Sequence, residues 1–116
     1  MVKKITIIIK CNNKHFIISC LKLSYLGKML GLMFSKIEKS DILLFEFDSN
    51  VNKSIHSFYV FFDFLAVWLD QNNNIIETKI IKPWTVKVYC KKEYRKLIEI
   101  PIKKENQELI NNIIYN

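Results

Sequence analysis

The chain has little glycine, proline, cysteine and arginine, and each shortage argues against a class of protein. Only two Gly and two Pro occur in 116 residues, which argues against flexible linkers, collagen-like segments and Gly-rich phosphate-binding loops. Three Cys without a CxxC spacing are typical of reduced core thiols and not of a disulfide framework. Arg95 is the only arginine, so specific readout of guanine edges in DNA is not expected.

The size and composition are those of one folded domain spanning residues 1–116. Half of the residues are hydrophobic and 25% are charged, a balance typical of globular proteins. The opening segment MVKKITIIIK has too short an apolar run for a secretory signal, so we expect a cytoplasmic protein. The oligomeric state is predicted only as a monomer or a small homo-oligomer, and no partner is identified.

The longest apolar run, SFYVFFDFLAVWLD at residues 57–70, raises the question of a membrane span. It is shorter than the roughly 20 residues that a membrane helix needs, and it contains Asp63, so no span is expected. The run predicts two consecutive stretches of buried strand that are separated at Asp63 and end at Asp70.

Hydrophobic periodicity predicts a mainly β (α+β) fold. Period-two patterns outside the apolar run predict strands at residues 3–10, 15–20, 41–48, 72–83, 84–90 and 95–102. Apolar residues at helical spacing predict a short central helix within 24–34 and a C-terminal helix with Leu109, Ile110, Ile113 and Ile114 on one face. We therefore expect a compact curled sheet or small β-barrel of six to seven short strands with these two helices.

Asp63 is the one residue out of place in the apolar run. An isolated carboxylate in an apolar core must be paired, exposed or protonated. The simplest interpretation is an aspartate at a turn between two strands. The alternative is a small-molecule or enzyme site near Asp63, with Trp68, Lys82 and Trp84 as candidate binding residues.

A segment rich in aromatic and basic residues, KPWTVKVYCKKEYRK at 82–96, suggests a second surface. Here Trp84, Tyr89 and Tyr94 could stack on bases while cations contact phosphates; these cations are Lys82, Lys87, Lys91, Lys92, Arg95 and Lys96. The net charge of +7 raises the expectation of a polyanionic partner. The competing and favoured interpretation is an amphipathic strand with lysines on a solvated edge, so any polyanion binding is predicted to be weak and nonspecific.

No complete catalytic or metal-binding set is present in the sequence. Cys11, His15 and Cys20 cluster near the first hairpin, but the fourth ligand that structural zinc requires is missing. A triad could be drawn from Ser54 or Ser57 with His56 and an aspartate, but no nucleophile-elbow pattern supports it. We therefore predict no catalytic residue, no cofactor and no metal.

Five short motifs in order carry a resemblance to a known family. They are GLMF at 31–34, LLFEF at 43–47, FLAVWLDQNNNIIE at 64–77, KPW at 82–84 and KLIEIP at 96–101. Together they resemble the family catalogued as domain of unknown function 192, over residues 20–104, and VWLD followed by KPW is most similar to its archaeal-type members. The chain departs from the family at Ala66, where many members have aspartate, and at Tyr59-Val60, where many have Trp-Met.

The resemblance implies a compact β-rich domain and no particular activity. The leading hypothesis is therefore a noncatalytic binding or interaction module, because the chain has many aromatic residues and no complete catalytic set. A nonspecific nucleic-acid binder and an enzyme or small-molecule site near Asp63 are the alternatives.

Overall fold

The computed structural model describes residues 2–23, 32 and 35–115, and it confirms the mainly β fold. Its elements in chain order are the strands β1 (Val2–Cys11), β2 (Lys14–Leu23), β3 (Leu43–Val51), β4 (Phe64–Leu69), β5 (Ile75–Ile81) and β6 (Tyr94–Pro101), and then the helix α1 (Gln107–Ile114). Short 3-10 turns occupy Ile37–Lys39 and Lys104–Asn106. The predicted central helix at 24–34 lies outside the described residues, apart from Leu32.

The six strands form one sheet in the order β1-β2-β3-β6-β4-β5. Only β2 and β3 pair in parallel, and all other neighbours are antiparallel. The hairpin between β1 and β2 turns at Asn12 and Asn13, which both have positive φ, a conformation that asparagine tolerates. The sheet curls into a half-barrel, so the end of β1 meets the start of β5 where the Lys10 N–H donates to the Asn73 carbonyl at 2.9 Å.

The sheet has an apolar core on each face. On the first face, residues such as Ile9, Leu65 and Ile98 pack with Ile110 and Ile113 of α1, which explains the helical stripe in the sequence. On the second face, a separate cluster includes residues of loops as well as of strands. Strand β4 contributes to both cores, and all six of its residues are buried, as the sequence predicts for the middle of a curled sheet.

Two predicted strands are absent, and both are loops in the structure. Residues 57–62, the first half of the apolar run, form a turn at Phe58-Tyr59, and the Phe61 side chain is 60% exposed. Residues 84–90 form no strand either, apart from an isolated bridge between Val88 and Ile55. Period-two hydrophobicity could not distinguish these loops from strands, because a loop packed against a sheet also alternates buried and exposed side chains. Asp63 is therefore the last residue of the loop between β3 and β4, and it does not separate two strands within the apolar run.

None of the described residues belongs to a helix long and apolar enough to cross a membrane.

Candidate functional site

Two loops on the second face of the sheet are joined through their backbones. Loop 52–63 precedes β4, and loop 82–93 follows β5. Ile55 and Val88 exchange both backbone hydrogen bonds, at 2.9 and 2.8 Å. The pairing resembles one rung of an antiparallel ladder, and it fixes the two loops relative to each other.

Ser57 is the main connection between the loops. Its side chain is fully buried, and its hydroxyl donates to the Lys82 carbonyl at 2.5 Å and accepts the Thr85 N–H at 2.6 Å. Its carbonyl accepts the Trp84 N–H at 2.9 Å, and its N–H donates to the Thr85 carbonyl at 3.0 Å. Ser57 thus forms four hydrogen bonds with Lys82, Trp84 and Thr85, and these bonds hold the start of loop 82–93 in one conformation.

An exposed group of aromatic rings lies where the two loops meet. We call Phe58, Tyr59, Phe61 and Trp84 the Trp84 cluster. The Trp84 ring centroid lies 4.8 Å from that of Tyr59, 6.1 Å from that of Phe61 and 6.4 Å from that of Phe58, all in edge-on arrangements. Trp84 is 48% exposed and Tyr59 is 44% exposed. Clustered large apolar side chains at a rigid surface are typical of interaction sites.

Two residues of this cluster, Tyr59 and Trp84, have an unusual backbone conformation. Tyr59 has φ 60° and Trp84 has φ 61°, in the left-handed region that costs a bulky residue about 1–2 kcal/mol. The Ser57 carbonyl accepts the N–H of Trp84 and also that of Val60, at 3.1 Å. These hydrogen bonds stabilise backbone dihedral angles that are unfavourable for tyrosine and tryptophan. Backbone strain of this kind is frequent at ligand-binding positions.

The carboxylate of Asp63 faces Lys82. The Lys82 Nζ donates to Asp63 Oδ2 at 2.8 Å, so the acid of the apolar run is paired at the surface. Of the four predicted binding residues, Asp63 and Lys82 are thus in contact, and Trp84 lies on the same loop as Lys82.

Trp68 lies apart from the other three candidates. It is fully buried in β4, with its ring edge-on to Tyr94 at a centroid distance of 6.4 Å and the Lys79 ammonium 5.9 Å from its ring centroid. Its indole N–H has no hydrogen-bond partner within the described ranges. Trp68 is therefore a core residue, and a ligand at the Trp84 cluster would not contact it.

Sequence reasoning missed a buried acid on β6. Glu99 is only 8% exposed, between Leu43 of β3 and Ala66 of β4 in the register of the sheet. Burial raises the pKa of Glu99 to about 8 and the pKa of nearby Tyr94 to about 12. The signal was present in the sequence, since Glu99 interrupts an apolar strand in the way that Asp63 interrupts its apolar run.

The predicted polyanion residues divide into two groups. Lys87, Lys91 and Lys92 are exposed. Arg95 donates through Nε to the Phe47 carbonyl at 2.7 Å, and Lys96 donates to the Asn73 side chain at 2.5 Å. The last two cations thus form contacts within the protein, and the buried Tyr94, whose hydroxyl donates to the Lys53 carbonyl, is not placed to stack on bases.

The serine and histidine of the conceivable triad are not aligned. The Ser57 hydroxyl donates to a backbone carbonyl, and His56 Nδ1 accepts the Phe58 N–H at 3.2 Å. In the part of the chain that the structure describes, no three His, Cys, Asp or Glu side chains are grouped so that they could hold a metal ion.

These features define a small β half-barrel with an exposed aromatic cluster on two joined loops. The chain is 30% identical over 78 residues to a UPF0127 protein of Pyrococcus horikoshii, and the match covers 67% of each chain. It is 28% identical over 81 residues to UPF0127 proteins of Thermococcus gammatolerans and Thermococcus kodakarensis, and it spans about half the length of these two relatives. The chain belongs to the UPF0127 family.

The archaeal character of the predicted family is thus supported by these relatives. No family model matches the chain, so the resemblance to domain of unknown function 192 stays a prediction.

Two solved structures are similar in fold. A protein of unknown function from Novosphingobium aromaticivorans superposes with a TM-score of 0.73 at 8% identity, covering 91% of this chain and 78% of that one. A candidate transcription regulator from Sinorhizobium meliloti superposes with a TM-score of 0.72 at 10% identity, covering 94% and 86%. At such low identity the likeness concerns the fold alone.

Proposed function

We propose that this domain is a noncatalytic binding module and that the Trp84 cluster is its contact surface for a protein partner. The observation that carries the proposal is the exposure of Tyr59, Phe61 and Trp84 on a backbone held by hydrogen bonds to Ser57. Exposed flexible aromatics would lose conformational entropy on binding, whereas these are already positioned. Tryptophan and tyrosine are also the residues most enriched at the energetic centres of protein interfaces.

The cluster has the apolar centre and the charged rim that such interfaces show. The ion-paired Lys82 and Asp63 are two residues along the chain from Trp84 and Phe61, and they offer one charge of each sign to a partner. Covering the exposed half of the Trp84 side chain would remove roughly 100 Å² of apolar area from water, which contributes about 2–3 kcal/mol. We therefore expect Trp84 to dominate the affinity for a partner that presents an apolar side chain.

A peptide library displayed on phage and selected on the full chain tests this proposal. Peptides that bind the wild type should lose about 30-fold or more in affinity for Trp84→Ala. Val86→Ala is the matched control, because Val86 is exposed on the same loop and lies outside the cluster. Selected peptides that bind Trp84→Ala as tightly as the wild type would show that the cluster is not the contact surface.

Nonspecific binding of single-stranded nucleic acid is a second candidate. It is supported by the exposed Tyr89, which has the Lys87 ammonium 5.8 Å from its ring centroid and lies on the same loop as Trp84. Binding of a fluorescent oligonucleotide should then fall steeply with salt and should weaken in Lys87→Ala. Absence of binding at low salt would rule it out.

An enzyme or small-molecule site near Asp63 has less support, because the Asp63 carboxylate is paired with Lys82 and the nearby Ser57 hydroxyl is bonded to the backbone.

A further inference from the structure

The net positive charge of the chain is concentrated in its N-terminal third. The first acidic residue is Glu38, and seven lysines precede it: Lys3, Lys4, Lys10, Lys14, Lys22, Lys28 and Lys36. The chain has 18 basic residues in all, so the 11 that follow balance its 11 acidic residues. The first 37 residues therefore carry a charge of +7 with no acidic residue among them, whereas residues 38–116 are neutral in sum although the segment 82–96 is locally basic.

The hairpin of β1 and β2 carries much of this charge beside an exposed apolar pair. Ile8 is 47% exposed and Ile17 is 71% exposed, and the two lie directly opposite each other in the strand register. Lys4, Thr6, Ile8 and Lys10 alternate with the inward-facing residues of β1, so Lys4 and Lys10 lie on the same outer face as the Ile8–Ile17 pair. Within the described part of the chain, Lys3, Lys4, Lys10 and Lys14 form no salt bridge.

The hairpin also leaves a backbone edge open. β1 is the outermost strand of the sheet, and the bond from the Lys10 N–H to Asn73 shows that this amide points away from β2. Amide directions alternate along a strand, so the N–H and C=O groups of Lys4, Thr6 and Ile8 also point outward. Among residues 2–23, 32 and 35–115, no backbone group pairs with these three.

We propose that the outer edge of β1 binds an extended acidic segment of a partner protein as an added strand. The edge supplies backbone hydrogen bonds to such a segment. The Ile8–Ile17 pair supplies an apolar contact, and Lys4 and Lys10 attract acidic side chains. A second copy of this chain fits poorly, because pairing β1 with β1 would bring like charges together. A nucleic-acid backbone would contact the lysines, but it would leave the isoleucine pair uncovered and the outward N–H and C=O groups of β1 without strand pairing.

The test measures binding of the full chain to a fluorescein-labelled eight-residue peptide in which glutamate alternates with valine. Thr6→Pro removes one outward N–H without touching the β1–β2 ladder, and we expect about fivefold weaker binding. Lys4→Glu should weaken binding about tenfold, because an attraction becomes a repulsion. Lys91→Glu is the matched control, since it changes the net charge by the same amount but lies in loop 82–93, away from β1. It should leave the peptide affinity within about twofold of the wild type.

Further measurements distinguish an acidic peptide from a nucleic acid and from a second copy of this chain as the ligand of the β1 edge. If Thr6→Pro does not fold by circular dichroism, a peptide with N-methylated amides on the ladder side tests the same backbone bonds and should bind about fivefold more weakly. Absence of peptide binding at low salt would overturn the proposal. So would an oligonucleotide of equal charge that binds as tightly and is insensitive to Thr6→Pro, or a wild-type dimer that this substitution dissociates. Trp84→Ala should not affect this peptide, so the outcome is independent of the function proposed for the Trp84 cluster.

Discussion

Glu99 should make the stability of this protein fall as the pH rises from about 5 to 8. Its carboxyl group is buried between Leu43 and Ala66, and burial raises its pKa from 4.5 to about 8. Between these two values the group is protonated in the folded state and ionised in the unfolded state. The unfolded state therefore binds fewer protons, and the free energy of unfolding decreases by about 1.4 kcal/mol for each pH unit in the middle of this window.

The full effect is worked from the pKa difference. Stability is highest below the unfolded value of 4.5 and reaches its lower limit above the folded value of about 8. From pH 5 to pH 8 the loss from this single group is about 3–4 kcal/mol, which is a large share of the stability of a small domain. Urea unfolding followed by far-UV circular dichroism at pH 5, 6, 7 and 8 measures it directly.

Glu99→Gln isolates the contribution, because the amide has a similar shape and does not titrate. We expect the variant to be close to the wild type at pH 5 and several kcal/mol more stable at pH 8. Glu46→Gln is the matched control: a hydrogen bond from Lys22 lowers the pKa of Glu46, so its contribution changes only at more acidic pH. A Glu99→Gln curve that runs parallel to the wild type from pH 5 to 8 would refute the reasoning.

Two further predictions concern buried side chains. Ser57→Ala should lower the free energy of unfolding by about 2–4 kcal/mol, since it leaves the Lys82 carbonyl and the Thr85 N–H without their hydroxyl partner; a loss below about 0.5 kcal/mol in urea unfolding would contradict this. Trp68→Ala should cost about 3–5 kcal/mol through the cavity it creates. Trp68→Phe should cost less than half as much, because phenylalanine fills most of the space and the Trp68 indole N–H makes no hydrogen bond in the described part of the protein; equal costs of the two variants in urea unfolding would contradict this.

The spacing of apolar and turn residues predicted an element correctly where the structure of that element depends on its own side chains. The unbroken apolar run Phe64–Leu69 predicted a strand buried on both faces, and β4 is that strand. The Asn12-Asn13 turn and the apolar stripe of α1 were readable for the same reason, since turn chemistry and helical spacing involve neighbours along the chain.

The same pattern misled at residues 57–62 and 84–90. Their apolar and aromatic residues pack against the second face of the sheet and against one another as loops. Whether such a segment pairs as a strand depends on a free edge at the right place, which is a property of the whole sheet.

The sequence by itself determined the mainly β class, the buried central strand, the terminal helix and the concentration of positive charge in the N-terminal third. These depend on composition and on spacing along the chain. Only the tertiary structure decided that Asp63 pairs with Lys82, that Trp84 contacts Tyr59 and Phe61 while Trp68 stays in the core, and that Ser57 holds two distant loops together. The physical reason is that each of these contacts joins residues far apart in sequence, and their approach is fixed by strand order and by the curl of the sheet.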